Sequence, residues 1–303
     1  MGELVNEEYR LLFHHTNKNN LFLVSYGCSK IDAVVNRFMI TFPNAKINIG
    51  LNITERRPDG YHNLETIFYP VKINDALEVI ESNELSFQSS GLEIPGRMED
   101  NLCIRGYHLL KSDFDLPPVA IYLHKHIPIG AGLGGGSADA AFFITLVNKK
   151  FELGLSVEQM QNYARQLGAD CAFFIENKPV FAFERGDEFE PVKLDLSNYT
   201  IVVVMPPVQI STAEAFRGVK PTAVKESLME LIYLPVKDWR RYIKNDFEES
   251  IFKNNAGIRG IKASLYEVGA LYASMSGSGA SVFGIFEKKP DLAFLENDNV
   301  VFY

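Results

Sequence analysis

The sequence predicts an α+β protein built of two domains. Short segments rich in β-branched and aromatic residues are interspersed with helical segments, without the strict strand–helix–strand alternation of a parallel α/β sheet. The 303 residues are enough for one large domain or two ordinary ones. A change of composition after residues 181–191 indicates where the second domain begins. We therefore predict domains over residues 39–190 and 191–303.

Residues 1–38 differ from the rest of the chain. A polar stretch at 14–20 separates two short apolar runs, and no clear helical or strand period emerges. We interpret this segment as an N-terminal extension. Our hypothesis is that Met39 is the natural start of the protein, and that the upstream stretch is either an extension from a wrongly assigned start or a disordered tail. N-terminal sequencing of the native protein would contradict this hypothesis if the chain begins at Met1.

The strands and helices of the first domain are predicted from local patterns. Apolar residues alternate with polar or small ones from Met39 to Ile53, as in a half-buried strand, and further strands are predicted at 66–73, 77–80 and 119–123. A capping box formed by Ser156 and Gln159 precedes a helix over 157–167, and Gly168 ends it. Residues 171–175 are apolar and are predicted to form a buried strand.

The second domain begins with an apolar strand at 201–205 that ends in two prolines. A second capping box at Ser211 marks the start of a helix. Ile258, Ile261, Leu265 and Val268 share one face of a later helix. Two closing strands, at 271–275 and 281–286, are joined by a loop of glycine and serine.

The composition excludes several classes of protein. Apolar residues make up 47% and charged residues 22%, as in a soluble globular chain rather than a disordered or fibrous one. The formal net charge of -8 gives no electrostatic reason to expect a nucleic-acid partner or an anionic membrane. No apolar run approaches the ~18 residues that span a bilayer. We expect a monomer or weak homodimer that acts on a small-molecule substrate.

The cysteines and the N-terminus favour a cytoplasmic location. Cys28, Cys103 and Cys171 are odd in number and lack CxxC spacing, which is typical of buried thiols in a reducing compartment rather than of disulfides or a zinc site. Glu3, Glu7 and Glu8 stand where a signal peptide would be basic.

The most informative segment is a glycine-rich loop, PIGAGLGGGSADAA, at residues 128–141. It follows a predicted strand and leads into an alanine-rich helix. Five glycines in seven positions cost backbone entropy, and the usual compensation is a close approach of their N–H groups to phosphate oxygens. The helix after Ser137 adds the positive end of its dipole, and the Ser137 hydroxyl is placed to reach a phosphate or its magnesium. We therefore predict a phosphate-binding loop.

Other phosphate-binding motifs fit this loop less well. Gly130, Gly132 and Gly135 do match the GxGxxG of dinucleotide-binding folds, which keeps a nicotinamide-dependent oxidoreductase open. However, Pro128 interrupts the strand before the first glycine, and no second strand with an acidic residue follows at the expected distance. A Walker A lysine and the protein-kinase motifs are absent from the sequence.

The glycine loop resembles the nucleotide loop of the GHMP kinases. Other segments resemble the branch of this family whose acceptor is a cytidine diphosphate-linked methylerythritol, and they occur in the same order along residues 42–286. These segments are FPNAKINIGLNITERRPDGYHNLET, LGADCAFFI, PPVQISTAEAF, NDFE and SMSGSGASVFG. The chain departs from the pattern after Asp170, where Cys171 and Ala172 replace an apolar residue and a proline.

This resemblance implies a two-domain GHMP fold with a ferredoxin-like C-terminal domain. It also implies ATP and Mg²⁺ as cofactors, and phosphorylation of the acceptor's 2-hydroxyl in the non-mevalonate route to isoprenoid precursors. By the same resemblance, ATP is bound by the loop residues Pro128, Gly130, Gly132, Leu133, Gly134, Gly135, Gly136, Ser137 and Ala138. No metal ligand is assigned beyond the possible contact of Ser137 with Mg-ATP.

The catalytic pair implied by the resemblance is Lys46 and Asp170. Asp170 accepts or orients the proton of the reacting hydroxyl, and Lys46 pairs with it to keep it ionised. Whether Asp170 is a true base or an electrostatic anchor stays open at this point.

The acceptor site implied by the resemblance includes an aromatic turn. Tyr61 stacks on the cytosine, His62 hydrogen-bonds to its edge, and Phe216 stacks on the opposite face. Further acceptor-site residues are Asn48, which contacts the polyol or diphosphate, and Gly277 and Ser278 of the loop that joins the two closing strands. By the same resemblance this loop, which we call the late loop, lies against the glycine loop. The NDFE residues Asn245, Asp246 and Glu248 are interpreted as a structural helix start.

Two alternatives remain besides the oxidoreductase. One is a GHMP kinase for a different small alcohol, such as mevalonate or homoserine. Tyr61, His62 and Phe216 argue against it, because those acceptors carry no base to stack. The other is a catalytically silent nucleotide-binding module, against which Asp170 and Lys46 argue.

Overall fold

A computed structural model of the protein describes residues 39–222 and 226–303. The predicted extension, residues 1–38, and Cys28 lie outside this part of the chain. All described residues fall within one compact unit. The predicted boundary between residues 190 and 191 therefore stays a prediction.

Three four-stranded sheets form the frame of the described residues. Their strand orders are β1-β4-β6-β5, β2-β3-β7-β8 and β10-β11-β9-β12. The strands are β1 (Met39–Thr41), β2 (Asn44–Arg56), β3 (His62–Asn74), β4 (Ala76–Glu81), β5 (Ser86–Gly91), β6 (Val119–Lys125), β7 (Val180–Phe183), β8 (Glu188–Pro191), β9 (Thr200–Met205), β10 (Tyr272–Met275), β11 (Val282–Phe286) and β12 (Val300–Phe302). The β5–β6 pair is parallel and the other pairs are antiparallel, which confirms the predicted α+β class.

Helices cover two of these sheets. They are α1 (Leu102–Asp113), α2 (Gly135–Lys150), α3 (Val157–Leu167), α4 (Phe173–Glu176), α5 (Thr212–Arg217), α6 (Leu228–Leu231), α7 (Val236–Tyr242), α8 (Phe247–Asn254) and α9 (Ala256–Glu267). α1, α2 and α3 share an apolar core with β4 and β6. α8 and α9 share another core with β9, β10 and β11.

Several elements match the local sequence signals. The helix over 157–167 has the predicted bounds, and its capping box is complete because Ser156 and Gln159 exchange hydrogen bonds. The predicted strands at 201–205 and 281–286 lie within or overlap β9 and β11. The Ser211 hydroxyl accepts from the Glu214 N–H at the start of α5.

The first strand region differs from the prediction. Residues 39–53 form two strands in different sheets, with the chain interrupted at Phe42 and Pro43. Residues 45–51 are buried on both faces rather than on one. The reason is that the face carrying Lys46 and Asn48, polar in sequence, packs against two loops instead of water.

The strand predicted at 171–175 is wrong. These residues form a turn followed by the short helix α4. A brief apolar run does not distinguish a strand from a buried helical turn, and here the Phe173 and Phe174 side chains join a small core with Phe68.

The ends of two helices also differ from the prediction. α2 begins at Gly135, so Ser137 lies inside its first turn instead of before it. Val268 lies at the C-terminal cap of α9 and is exposed, whereas Ile258, Ile261 and Leu265 are buried as predicted.

Among residues 39–222 and 226–303, no helix is both long and apolar enough to cross a membrane. Cys103 and Cys171 are free and buried, and burial raises the pKa of the Cys171 thiol to about 12.

Candidate active site

The glycine loop connects β6 to α2 and owes its shape to residues without side chains. Gly130, Gly132 and Gly134 have φ angles of 69°, 75° and 71°, in the left-handed region that favours glycine. Gly134 is the N-cap of α2 and leads directly into the helix. The first-turn N–H groups of a 16-residue helix therefore end at this loop, an arrangement that suits a bound phosphate.

The late loop at 276–281 packs directly against the glycine loop. The Ser276 hydroxyl donates to the Gly132 carbonyl at 2.9 Å, and the Ser281 N–H donates to the Ala131 carbonyl at 3.2 Å. A Cβ on Gly132 would lie 2.0 Å from the Ser276 carbonyl oxygen. The predicted approach of these two loops is confirmed, and a residue at 132 larger than glycine does not fit without movement.

Lys46 and Asp170 lie together, as predicted. Lys46 projects from β2, and Asp170 lies in the turn between α3 and α4. The Lys46 Nζ is 3.2 Å from the Asp170 Oδ2. The lysine side chain is 4% exposed and the aspartate 34%, so the carboxylate faces a cleft while the ammonium lies behind it.

The Lys46 ammonium is held by neutral groups as well as by the carboxylate. Its Nζ donates to the Asn48 Oδ1 at 2.6 Å and to the Gly132 carbonyl at 3.3 Å, and lies 4.8 Å from the Phe68 ring centre. The Asn48 Nδ2 donates to the Thr66 hydroxyl at 3.0 Å. An ammonium has three donors, so these contacts and Asp170 fix its position.

The aromatic turn closes the other end of the cleft. Tyr61 is 61% exposed, and the Asp59 carboxylate accepts from its N–H at 3.1 Å. The His62 imidazole stacks on the Phe216 ring, with 4.8 Å between the ring centres and an interplanar angle of 21°, and the stacking of Phe216 on the cytosine stays a prediction. The two rings are half-buried and cover each other's apolar surface. Phe216 also packs edge-on against Phe247 of α8.

A single cleft of about 680 Å³ brings most predicted site residues together. This volume is in the range of small-molecule sites. Those that line it are Lys46, Asn48, Tyr61, His62, Gly130, Gly132, Gly134, Asp170, Phe216, Gly277 and Ser278. We call it the acceptor cleft.

A second pocket of about 350 Å³ borders the glycine loop at Ile129 and Gly136. Its apolar wall includes Phe87, Ile94 and Leu102, and Gly136 lies on its border. We call it the nucleotide pocket. The glycine loop therefore contributes to both clefts, with Gly130, Gly132 and Gly134 in the acceptor cleft and Ile129 and Gly136 in the nucleotide pocket.

Some predicted loop residues line neither cleft: Pro128, Leu133, Gly135, Ser137 and Ala138. The Leu133 and Ala138 side chains are buried in the core. The Ala138 N–H donates to the Gly134 carbonyl within the helix. The Leu133 and Ala138 side chains therefore support the glycine loop from the core side.

A buried cluster of charges beneath the nucleotide pocket was not predicted. The Lys125 Nζ donates to the Asp139 Oδ2 at 2.6 Å and also to Asp75, whose other oxygen accepts from the His126 and Ile127 N–H groups. Burial raises the pKa of Asp139 to about 7 despite the adjacent ammonium. The cluster fixes the point where β6 enters the glycine loop. The available signal was the strand period, because Lys125 falls on the buried face with Ile121 and Leu123.

The NDFE segment has the structural role that was predicted. The Asn245 Nδ2 donates to the carbonyls of Met275 and Gly277, each at 2.8 Å. The Glu248 carboxylate accepts from the Met275 N–H at 2.8 Å and from Lys262. The segment thus holds the late loop at the start of α8, and its Phe247 ring packs against Phe216 in the acceptor cleft.

Comparison with known proteins agrees with this geometry. The model of the GHMP kinases N terminal domain matches residues 101–178, and that of the GHMP kinases C terminal matches residues 229–298. A 4-diphosphocytidyl-2-C-methyl-D-erythritol kinase of Bacteroides fragilis is 55% identical over 262 residues, which cover 85% of this chain and 96% of that protein. Its namesake from Porphyromonas gingivalis is 45% identical over 258 residues, 84% of this chain and 94% of that protein.

The chain belongs to the 4-diphosphocytidyl-2-C-methyl-D-erythritol kinases, a branch of the GHMP kinases.

A crystal structure of 4-(cytidine 5'-diphospho)-2C-methyl-D-erythritol kinase has a TM-score of 0.75 and 28% identity, covering 87% of this chain and 97% of that one. The mevalonate kinase of Methanococcus jannaschii shares the fold, with a TM-score of 0.66 at 14% identity. Membership of the GHMP kinases identifies the protein as a kinase that uses ATP and phosphorylates a small molecule.

Proposed function

We propose that the protein transfers the γ-phosphoryl group of ATP to the 2-hydroxyl of 4-diphosphocytidyl-2-C-methyl-D-erythritol, a step of the non-mevalonate route to isoprenoid precursors. The observation that carries the proposal is that the Lys46–Asp170 pair and the aromatic turn line one cleft. An acceptor with a base at one end and a reacting alcohol at the other matches this arrangement. Mevalonate and homoserine would leave the aromatic end unused.

Asp170 acts on the reacting hydroxyl in this proposal. The hydroxyl oxygen attacks the γ-phosphorus, the bond from that phosphorus to the β-bridging oxygen breaks, and the hydroxyl proton passes to the Asp170 carboxylate. Lys46, 3.2 Å from Asp170, holds the carboxylate in place beside the reacting hydroxyl. Because Lys46 is also held by Asn48 and the Gly132 carbonyl, the pair is positioned before substrate binds.

The glycine loop stabilises the phosphates of ATP. We place the triphosphate against the loop and the N-terminus of α2, where N–H groups and the helix dipole oppose its negative charge. The base of ATP enters the nucleotide pocket, whose wall includes Phe87, Ile94 and Leu102.

Mg²⁺ accompanies ATP in this proposal, and the donor set fits a metal held mainly by the nucleotide. The described residues contain no group of three or more His, Cys, Asp or Glu side chains that could hold a metal ion. Mg²⁺ commonly takes one or two protein ligands together with phosphates and water. Ser137, in the first turn of α2, would supply an oxygen ligand. The ion would neutralise charge on the phosphate oxygens.

An ADP-release assay with ATP and Mg²⁺ tests the proposal. We would compare 4-diphosphocytidyl-2-C-methyl-D-erythritol with mevalonate, homoserine and galactose. Turnover confined to the cytidine-bearing alcohol is expected. Turnover of another alcohol at a higher kcat/KM would contradict the acceptor assignment and leave the kinase chemistry intact.

The Asp170→Asn variant tests the role of the carboxylate. We expect turnover to be lost while ATP binding, measured by calorimetry, survives, because the amide keeps the shape and accepts no proton. Asp298→Asn, at an exposed residue, is the control and should keep wild-type kcat. Wild-type kcat in the Asp170 variant would refute the assignment.

A further inference from the structure

The acceptor cleft contains few cationic groups for a substrate that carries a diphosphate. Among the described residues that line it, the lysine and arginine side chains are Lys46 and Arg185. The Lys46 ammonium is already engaged by Asp170, Asn48 and the Gly132 carbonyl. The charge of Arg185 has no part in the mechanism derived above.

One edge of the Arg185 guanidinium is held by an ion pair, and the rest of the side chain is accessible from the cleft and solvent. It lies in the turn between β7 and β8, where Glu184 and Gly186 adopt positive φ angles of 55° and 85°. Its Nη2 donates to the Asp187 Oδ2 at 2.7 Å. The Asp187 side chain is 10% exposed, but the arginine side chain is 49% exposed. A guanidinium has five N–H donors, so this ion pair fixes the group and leaves donors for a ligand.

The neighbouring acidic side chains are satisfied by a different arginine. Arg57 pairs with Asp59 and with Glu184, each at 3.1 Å. Arg185 instead lies over the ring of Tyr61, 5.8 Å from its centre. The cation is therefore next to the aromatic residue that we assign to the cytosine.

We infer that Arg185 binds the diphosphate of the acceptor. The inference rests on the proposed function and adds a residue to its acceptor site. The planar fork of a guanidinium matches two phosphate oxygens at once, whereas an ammonium acts as a point charge. Arg185 holds the substrate on the path between the base at Tyr61 and the alcohol at Asp170, and it is a binding residue that takes no part in proton transfer.

Steady-state kinetics of Arg185→Gln and Arg185→Lys test the inference. Glutamine should raise the KM for the acceptor by about 10- to 100-fold, the range lost with a charged hydrogen bond, while kcat and the KM for ATP stay within about twofold. Lysine should recover part of the loss, because it keeps the charge without the fork. An unchanged acceptor KM in Arg185→Gln would overturn the inference.

Binding of CDP and of cytidine separates the phosphate contact from the base contact. Calorimetry should show CDP weakened in Arg185→Gln by about the same factor as the KM, and cytidine changed by less than about twofold. If cytidine is weakened as much as CDP, Arg185 acts on the nucleoside and the inference is wrong. If the wild-type protein neither binds CDP nor phosphorylates the acceptor, the proposed function fails, and the inference fails with it.

Arg165→Gln is the matched control. Arg165 donates to the Asp187 carbonyl at 3.1 Å, so it supports the same hairpin, but it does not line the cleft. We expect wild-type KM for the acceptor in this variant. A rise equal to that in Arg185→Gln would show that hairpin integrity, not the cation, controls binding, and would overturn the inference.

Discussion

Replacing Gly132 with alanine should destabilise the protein far more than the same change at Gly130. Both residues have left-handed φ angles, 75° and 69°, so alanine meets the same backbone penalty at each position. The two positions differ in the room that they leave for a Cβ atom. A Cβ at 132 would lie 2.0 Å from the Ser276 carbonyl oxygen and 3.2 Å from that of Gly279, whereas a Cβ at 130 would meet nothing within 4 Å.

The backbone penalty and the steric overlap together give the expected losses of unfolding free energy. The left-handed conformation costs a residue with a Cβ roughly 1–2 kcal/mol, which is the loss expected for Gly130→Ala. Overpacking adds roughly 1–3 kcal/mol at Gly132, because the obstacle is backbone and has no rotamer to change. We therefore expect Gly132→Ala to lose about 2–5 kcal/mol of unfolding free energy.

Urea unfolding followed by tryptophan fluorescence would measure this difference. Trp239 is the single tryptophan, is fully buried, and packs against Tyr272 of β10, the strand that leads into the late loop. The measurement is made without nucleotide, so that any phosphate contact of Gly130 does not contribute. Equal losses for the two variants would refute the conclusion that close contact between the loops, rather than backbone conformation alone, requires glycine at 132.

Three further results are expected. Lys125→Met should lose roughly 3–5 kcal/mol of unfolding free energy, because it leaves two buried carboxylates without their cation. Lys178→Met, at an exposed ion pair, should lose under about 1 kcal/mol, and similar losses for the two variants in the same urea titration would contradict this. Glu248→Ala should lose about 2–3 kcal/mol of unfolding free energy, since its carboxylate accepts from the Met275 N–H of β10, and a loss below about 0.5 kcal/mol would show that this hydrogen bond is not stabilising. Tyr61→Ala and Phe216→Ala should each weaken acceptor binding by about 1–3 kcal/mol, and an unchanged KM in both variants would refute stacking of the base.

Signals confined to a few neighbouring residues were reliable. The capping box at Ser156 and the stop at Gly168 gave both ends of α3, because caps are decided by hydrogen bonds within one turn. The glycine loop was located for the same reason, since its left-handed conformations require glycine in the sequence itself. The acceptor-site residues came from resemblance to a family, and their assembly in one cleft depends on loops far apart in the chain.

Signals that depend on tertiary partners were missed or misinterpreted. Asp75 and Asp139 look like ordinary surface residues in the sequence, and the strand period that puts Lys125 on a buried face does not identify its partners, so only the tertiary structure reveals the buried ion cluster. The apolar run at 171–175 became a helical turn because its aromatic side chains pack against Phe68. The stacking of His62 on Phe216 joins a strand end to a helix more than a hundred residues away, a separation that no local pattern reports.

By itself, the sequence determined the α+β class, the glycine loop and the family of this kinase, since these depend on local periodicity, on glycine conformations and on motifs in a fixed order. The tertiary structure alone decided what surrounds each functional group. It determined that Lys46 is held by Asn48 and the Gly132 carbonyl, that the glycine and late loops touch, and that Arg185 lies next to Tyr61 in the acceptor cleft. Burial and electrostatic interactions act through space, so the environment of a charge is fixed only when distant segments meet.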